Sequence, residues 1–355
     1  MPEISRILVV RTDRLGDVIL TLPVLPILRH RYPRAYIAML TGRYAGEIVE
    51  GNPYCDELLS YDDGGTLTPF RTLLRTIRGK RFDAAVVVHP TPRLAALAFR
   101  AGIPVRIGTG YRFYSMLFNR RVYTHRKTAE RHEAEYNLEL LRPLDCSVTP
   151  DTPLDFTITI PNEADLAAGA LLAETGGEAP GRLALIHPGS GGSAREWPAE
   201  SFGRLAAHLA GKFSMRVLVT GVAAEQATVD AVVRHAEGSA TGVAGRLRVK
   251  ELAALIRRAA VFIANSTGPL HIAAALGTPV LAFYPQIPVM GPRRWGPSTT
   301  KARVLVPRKP PDCAECTGRA GSPCACMASI SVDEAAAAAA RLLESATMNP
   351  ALHGP

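Results

Sequence analysis

The stretch Arg6-Ile7-Leu8-Val9-Val10-Arg11-Thr12-Asp13-Arg14-Leu15-Gly16-Asp17-Val18-Ile19-Leu20 decides how the rest of the chain is read. The short apolar run at 6–10 predicts a strand buried on both faces. The apolar spacing that follows predicts a helix over 15–31. A strand that enters a helix through a polar loop is half of a βαβ unit. The same signals recur along the chain. Strands are predicted at 35–40, 83–89, 183–187, 216–220, 260–264 and 280–283. Helices are predicted at 92–100, 132–141, 198–210, 223–235, 249–258, 267–276 and 332–345, the last opened by Ser331-x-x-Glu334 as a capping box. Its six consecutive alanines read as helix propensity. The proline-punctuated segment 146–162 reads as a linker with a short strand at 156–160. The fold class is therefore α/β, with two doubly wound Rossmann-like units in tandem, 1–160 and 161–330, and a C-terminal helix over 331–346. Ligands of such units bind at the carboxyl ends of the strands. With two units, the cleft between them is the expected site.

Composition narrows the classes. Of 355 residues, 47% are hydrophobic and 21% charged, an ordinary globular balance that excludes a disordered chain, a coiled coil and a collagen-like repeat. No apolar run approaches the ~20 residues of a membrane span. The N-terminus lacks the pattern of a signal peptide, so a cytoplasmic protein without disulfides is expected. The net charge of +9 is uneven: residues 1–150 carry 22 Lys+Arg against 15 Asp+Glu. An anionic partner for the first half is one reading and solubility the other. Aromatic residues are 6% of the chain and are not interleaved with the basic ones, which argues against nucleic acid.

Four loops that follow strands carry the chemistry. Arg11–Val18 holds one glycine and two aspartates where a dinucleotide-binding protein would carry Gly-x-Gly-x-x-Gly, so a nicotinamide cofactor is not expected. Asp13 or Asp17 there is either a general base or a carboxylate at a helix start. The loop 187–198, with Ser190, Gly191, Gly192 and Arg195, suits a phosphate, or is a flexible loop with an arginine. Ser266, Thr267 and Gly268 after the strand at 260–264 form a second anion site or an ordinary N-cap, with His271 one turn on. Glu225 after the strand at 216–220 is a ribose partner or a solvated first-turn residue. Together these features imply a nucleoside diphosphate ligand in the second unit. No Asp-x-Asp occurs, so no metal is expected to hold it. Cys313, Cys316, Cys324 and Cys326 are spaced unlike a standard zinc site. They leave open a structural zinc or reduced loop cysteines.

In order and spacing, several of these pieces resemble glycosyltransferase family nine, the heptosyltransferases of lipopolysaccharide core assembly. They are Arg-x-Asp-Arg-Leu-Gly-Asp-Val-Ile-Leu-Thr-Leu-Pro at 11–23, Arg106-Ile-Gly, and His132 with Asn137-Leu. They continue with His187-Pro-Gly-Ser, Arg195-x-Trp-Pro, Thr267-Gly-Pro-Leu-His-x-Ala-Ala-Ala-Leu-Gly and the cysteine run before the last helix. The resemblance spans about residues 5 to 345. It implies a GT-B fold and inverting sugar transfer from a nucleoside diphosphate donor, typically ADP-heptose. The acceptor it implies is an anionic, phosphorylated core lipid at the inner face of the membrane. It makes Asp17 the general base, with Asp13 next in line. Arg195 stands at the position of a diphosphate-contacting lysine, and Glu225 matches a ribose-binding carboxylate. Ser190, Gly191, Ser266, Thr267, Gly268 and His271 fall on the donor side. In the basic first unit Arg14, His89, Arg93 and Arg112 are assigned to the acceptor, and that charge also favours peripheral contact with the membrane surface. No cofactor is implied. One departure concerns the donor: Ser266 stands where the family commonly has Asp. The rival readings are a sugar-nucleotide epimerase of the same architecture and a non-catalytic nucleotide-sugar binder.

Overall fold

The computed structural model describes residues 4–146, 148–149, 152–176, 182–308 and 325–347. The chain divides into two units, Met1–Thr159 and Ile160–Pro355. Six strands form the sheet of the first: β1 (Arg6–Val10), β2 (Tyr36–Thr41), β3 (Glu57–Ser60), β4 (Ala84–Val87), β5 (Val105–Thr109) and β6 (Arg120–Val122). Six more form the sheet of the second: β7 (Leu183–His187), β8 (Arg216–Val219), β9 (Ala240–Gly242), β10 (Val261–Asn265), β11 (Val280–Phe283) and β12 (Ala302–Leu305). Their orders are β3-β2-β1-β4-β5-β6 and β9-β8-β7-β10-β11-β12, and every pairing within these sheets is parallel. This is the Rossmann order repeated. In each unit the chain reverses direction across the sheet at one point, between β1 and β4 or between β7 and β10. A loop crevice opens there at the carboxyl ends of the strands.

The period-2 alternation of a strand explains each core. Leu8 and Val10 line up with Ala38, Leu40, Ala85 and Val87 beneath the helices Phe70–Gly79 and Pro92–Arg100, which contribute Leu73, Ile77, Leu94 and Leu97. In the second unit Ile186, Val219, Ile263 and Phe283 pack against Phe202, Leu205 and Leu209 of the helix Ala199–Phe213. Burial of each such side chain stabilises by about 1.5–3 kcal/mol. Trp197 sits at the centre of that core. Its ring stacks on Phe283 with centroids 4.2 Å apart. It meets Phe202 edge-on at 4.9 Å, and its indole N–H donates to the Ile330 carbonyl at 3.0 Å. The alanine run has a packing role beyond propensity: Ala335, Ala336, Ala338 and Ala339 of the helix Val332–Thr347 are buried in this core. Ser331 Oγ accepts from the Glu334 N–H at that helix's start.

Two expectations are corrected. The helix expected over 15–31 is two helices, Leu15–Ile19 and Val24–Arg31. Pro23 and Pro26 have no N–H to donate, and the join runs on three-residue bonds such as Leu22 N–H to the Ile19 carbonyl. The strand expected at 156–160 joins no sheet. Side chains hold it instead: Asn52 Nδ2 donates to the Thr157 carbonyl, and Thr159 Oγ1 donates to the Gly51 carbonyl. The strands β3, β5, β6, β9 and β12 and the helices Phe70–Gly79 and Asn162–Glu174 were not anticipated.

Candidate functional site

In the first unit the loop after β1 is organised by a buried cation. Arg11 is 2% exposed. Its Nε donates to Asp13 Oδ1 at 2.6 Å, Nη2 donates to Asp17 Oδ1, and Nη1 lies 3.5 Å from Glu133 Oε1 and 3.4 Å from Asn137 Oδ1. Glu133 is buried too and also takes Arg126. His89, just beyond β4, places Nδ1 3.3 Å from Asp13 Oδ2. The cluster therefore spans the point where the sheet order reverses. Burial alone would lower the proton affinity of Arg11, but its carboxylate neighbours more than offset this and raise it. The guanidinium is a permanent charge.

Asp13 and Asp17 differ within this cluster. Both oxygens of Asp13 face partners, Arg11 and His89. Among the described residues the Asp17 carboxylate takes one hydrogen bond, from Arg11. Burial raises the Asp17 pKa above the ordinary carboxylate value; Arg11 opposes that rise, and Asp13 and Glu133 reinforce it. Asp17 is thus an oriented carboxylate with increased affinity for a proton. Asn137 ties Arg11 to the break between the two helices: Oδ1 faces Arg11 Nη1, while Nδ2 donates to the Leu20 carbonyl at 2.9 Å and reaches Thr21 Oγ1.

The remaining residues assigned to the acceptor lie apart from this cluster in their contacts. Arg14 is exposed at the start of the helix Leu15–Ile19. Arg93 lies over the rings of Tyr61 and Phe70 and donates to the Thr68 carbonyl. Arg112 is exposed beside a 3-10 turn.

The second unit builds its loops from backbone and hydroxyl groups. Gly191 and Gly192 have φ of 54° and 72°, the left-handed region that glycine enters without strain. Glu225 locks this loop: Oε1 accepts from the Gly191 N–H at 3.2 Å and Oε2 from the Val222 N–H at 3.0 Å. A Cβ at Gly189 would lie 2.1 Å from Glu225 Oε1. Ser190 is turned inward, its N–H and Oγ both donating to Glu196 Oε1. His187, buried at the end of β7, shares a 2.9 Å hydrogen bond with Thr220 Oγ1 and has Nε2 3.7 Å from Glu225 Oε2. Burial lowers its pKa, and Glu225 partly opposes that. Arg195 is buried.

Across the reversal point, Asn265 donates from Nδ2 to the Pro188 carbonyl at 2.6 Å and accepts from the Trp197 N–H at 2.9 Å. It braces two loops rather than capping a helix. Ser193 Oγ reaches the Ser266 carbonyl at 3.2 Å. Thr267 is the N-cap residue of the helix Gly268–Ala275, with no side-chain cap bond. The first-turn N–H groups of that helix therefore take no cap from it. His271 is buried in that helix. Burial pushes the proton affinity of the Tyr284 phenol up, and the Ser266 side chain partly opposes that; the phenol O–H reaches the Trp295 carbonyl.

Sequence reasoning missed Arg11, Glu133 and Arg126 as members of the site, and likewise Glu196, Thr220 and the bracing role of Asn265. Arg11 and Asn137 both lie in the motifs quoted above, the one signal that pointed to them. Among the described residues no group of three His, Cys, Asp or Glu could hold a metal ion. Cys326 is half-buried and unbridged; Cys313, Cys316 and Cys324 lie outside the described residues. No helix among the described residues is long and apolar enough to cross a membrane.

The family model described as glycosyltransferase family 9 (heptosyltransferase) matches residues 70–320. The chain belongs to that family. It is a glycosyltransferase with a GT-B-type α/β fold. It is similar to lipopolysaccharide heptosyltransferase 3 of Escherichia coli K12, 29% identical over 283 residues, covering 76% of this chain and 79% of that one. A solved glycosyl transferase family 9 structure from Veillonella parvula superposes with a TM-score of 0.82 at 26% identity, covering 96% and 97% of the two chains. The E. coli ADP-heptose lipopolysaccharide heptosyltransferase II superposes with a TM-score of 0.79 at 21% identity, covering 96% and 99%.

Proposed function

We propose that this glycosyltransferase moves a sugar, heptose foremost, from a nucleoside diphosphate donor, ADP-heptose foremost, to a hydroxyl of a lipopolysaccharide core or related anionic glycolipid. The observation that carries the reading is Asp17: a carboxylate oriented by Arg11, raised in proton affinity by burial, beside the reversal point of its sheet. In this reading Asp17 takes the proton of the acceptor hydroxyl as that oxygen attacks the sugar C1. The bond from C1 to the diphosphate breaks on the opposite face, so the configuration inverts. Asp13, tied on both oxygens, orients Arg11 and His89.

The second unit holds the donor. The N–H groups at the start of the helix Gly268–Ala275, the glycine loop at 189–192 and Arg195 take the diphosphate, whose charge grows as it leaves. Glu225 and His271 lie toward ribose and sugar, and no metal or other cofactor takes part. The acceptor's anionic groups meet Arg14, His89, Arg93 and Arg112 of the first unit. The enzyme works in the cytoplasm, in peripheral contact with the inner membrane. The likeness to lipopolysaccharide heptosyltransferases supports heptose and lipopolysaccharide. Ser266 bears on the donor, because a neutral hydroxyl stands where the family commonly has a carboxylate.

Thermal unfolding with ADP, GDP, UDP and CDP tests the donor. A ligand bound only by the native state raises the melting temperature with its excess over Kd. The expected result is a selective rise with ADP. A selective rise with another nucleotide discards ADP-heptose, and no rise with any of them overturns the donor site. Asp17→Asn tests the base. It should lower kcat by about 10²–10⁴-fold while leaving the nucleotide shift intact; retained turnover would sink the assignment.

A further inference from the structure

We infer that the segment between β5 and the end of β6 is a docking surface for an anionic lipid bilayer. At its centre is a 3-10 turn at Phe113–Leu117. With three residues per turn, positions i and i+3 share a face. Ser115 and Phe118 form the inner face, 3% and 1% exposed; Phe113 and Met116 form the outer one, 81% and 75% exposed. The turn is anchored at its base. Ser115 Oγ donates to the Thr109 carbonyl at 2.6 Å, and Phe118 packs so closely under Gly108 that a Cβ there would sit 2.6 Å from its ring. A fixed turn therefore presents two large apolar side chains to solvent.

The surroundings select the partner. Residues 84–129 contain eight Lys+Arg and no Asp or Glu. Arg112 and Arg120 flank the turn and are exposed. Tyr111 and Tyr123, both exposed, stack edge-to-face at 5.3 Å beside it. Apolar side chains at the tip, amphipathic aromatics behind them and cations around them match the depth profile of an anionic leaflet: acyl boundary, interface, headgroups. An acidic protein partner would satisfy the cations and leave Phe113 and Met116 against polar groups. This surface deepens the membrane contact proposed above and rests on that part of the reading alone.

The test is co-sedimentation of the full chain with vesicles of phosphatidylcholine, with and without phosphatidylglycerol. The surface predicts binding to the anionic vesicles that weakens with salt, and little to the neutral ones. Phe113→Ser with Met116→Ser should weaken it at least about tenfold, with melting temperature and nucleotide shift unchanged. Emission from a Phe113→Trp variant should move to shorter wavelength on anionic vesicles. Equal binding by the double variant overturns the proposal, as does unshifted emission. So does a dimer of the parent chain that the double variant loses, which would assign the face to a second copy. Because the nucleotide shift is read on the same proteins, loss of the donor site and loss of the docking surface are separable outcomes.

Discussion

The two units share one strand order and use opposite chemistry at its reversal point. In the first, the loop after β1 is held by side-chain charge: Arg11 and Arg126 against Asp13, Asp17 and Glu133. In the second, the loop after β7 is held by backbone: Glu225 and Glu196 accept from main-chain N–H groups, and glycines supply the conformation. A charge cluster can tune a proton affinity, whereas a backbone cradle fixes a shape. One scaffold thus carries loops of opposite build, a buried charge network in the first unit and a carboxylate-braced backbone turn in the second, the pair on which the proposed sugar transfer rests.

The largest effect should come from emptying the charge cluster at its centre. Arg11→Leu leaves three carboxylates around a buried apolar group and should destabilise by about 3–5 kcal/mol, read as a lower denaturant midpoint. A loss below ~1 kcal/mol would mean the cluster is not held by Arg11. Next comes the cradle. Gly189→Ala pushes Glu225 off the Gly191 and Val222 N–H groups and should cost about 1–3 kcal/mol together with nucleotide affinity. Gly211→Ala is the control: a Cβ there meets nothing within 4 Å, and the helix should gain up to ~1 kcal/mol. Equal behaviour of the two variants would dissolve the contrast.

The smallest effect is a difference in pH sign. The raised Asp17 pKa contributes stability that is present below the unfolded carboxylate value and lost as pH rises through the folded one. The lowered His187 pKa contributes stability that is present above about 6.5 and lost as pH falls through the folded value. Melting curves across pH should therefore show Asp17→Asn gaining on the parent as pH rises from about 4, and His187→Gln gaining as pH falls below about 6.5. Two variants that move the same way would erase the distinction.

How legible each feature was depends on where its partners lie. β7 and β11 were readable to the residue because a strand covered on both faces is an unbroken apolar run. β6 was not, because Arg120 and Arg121 occupy an exposed edge and carry no such run. Asp13 and Asp17 stood out by following β1. The glycines and hydroxyls after β7 and β10 stood out in the same way. Glu133 did not, since its link to Arg11 closes 122 positions of chain and local pattern holds no record of it. Glu225 was readable as a carboxylate after a strand, but its two backbone partners depend on how the glycine loop folds over it.

The long reach of two contacts has a consequence for the order in which the protein is made. Arg11 meets Asp13 and Asp17 within its own loop but must wait 122 positions for Glu133. Trp197 must wait for the Ile330 carbonyl and the alanine helix that follows it. During synthesis, therefore, the first unit can close while the second is still being translated, and the core around Trp197 stays open until Ile330 and the alanine helix have emerged.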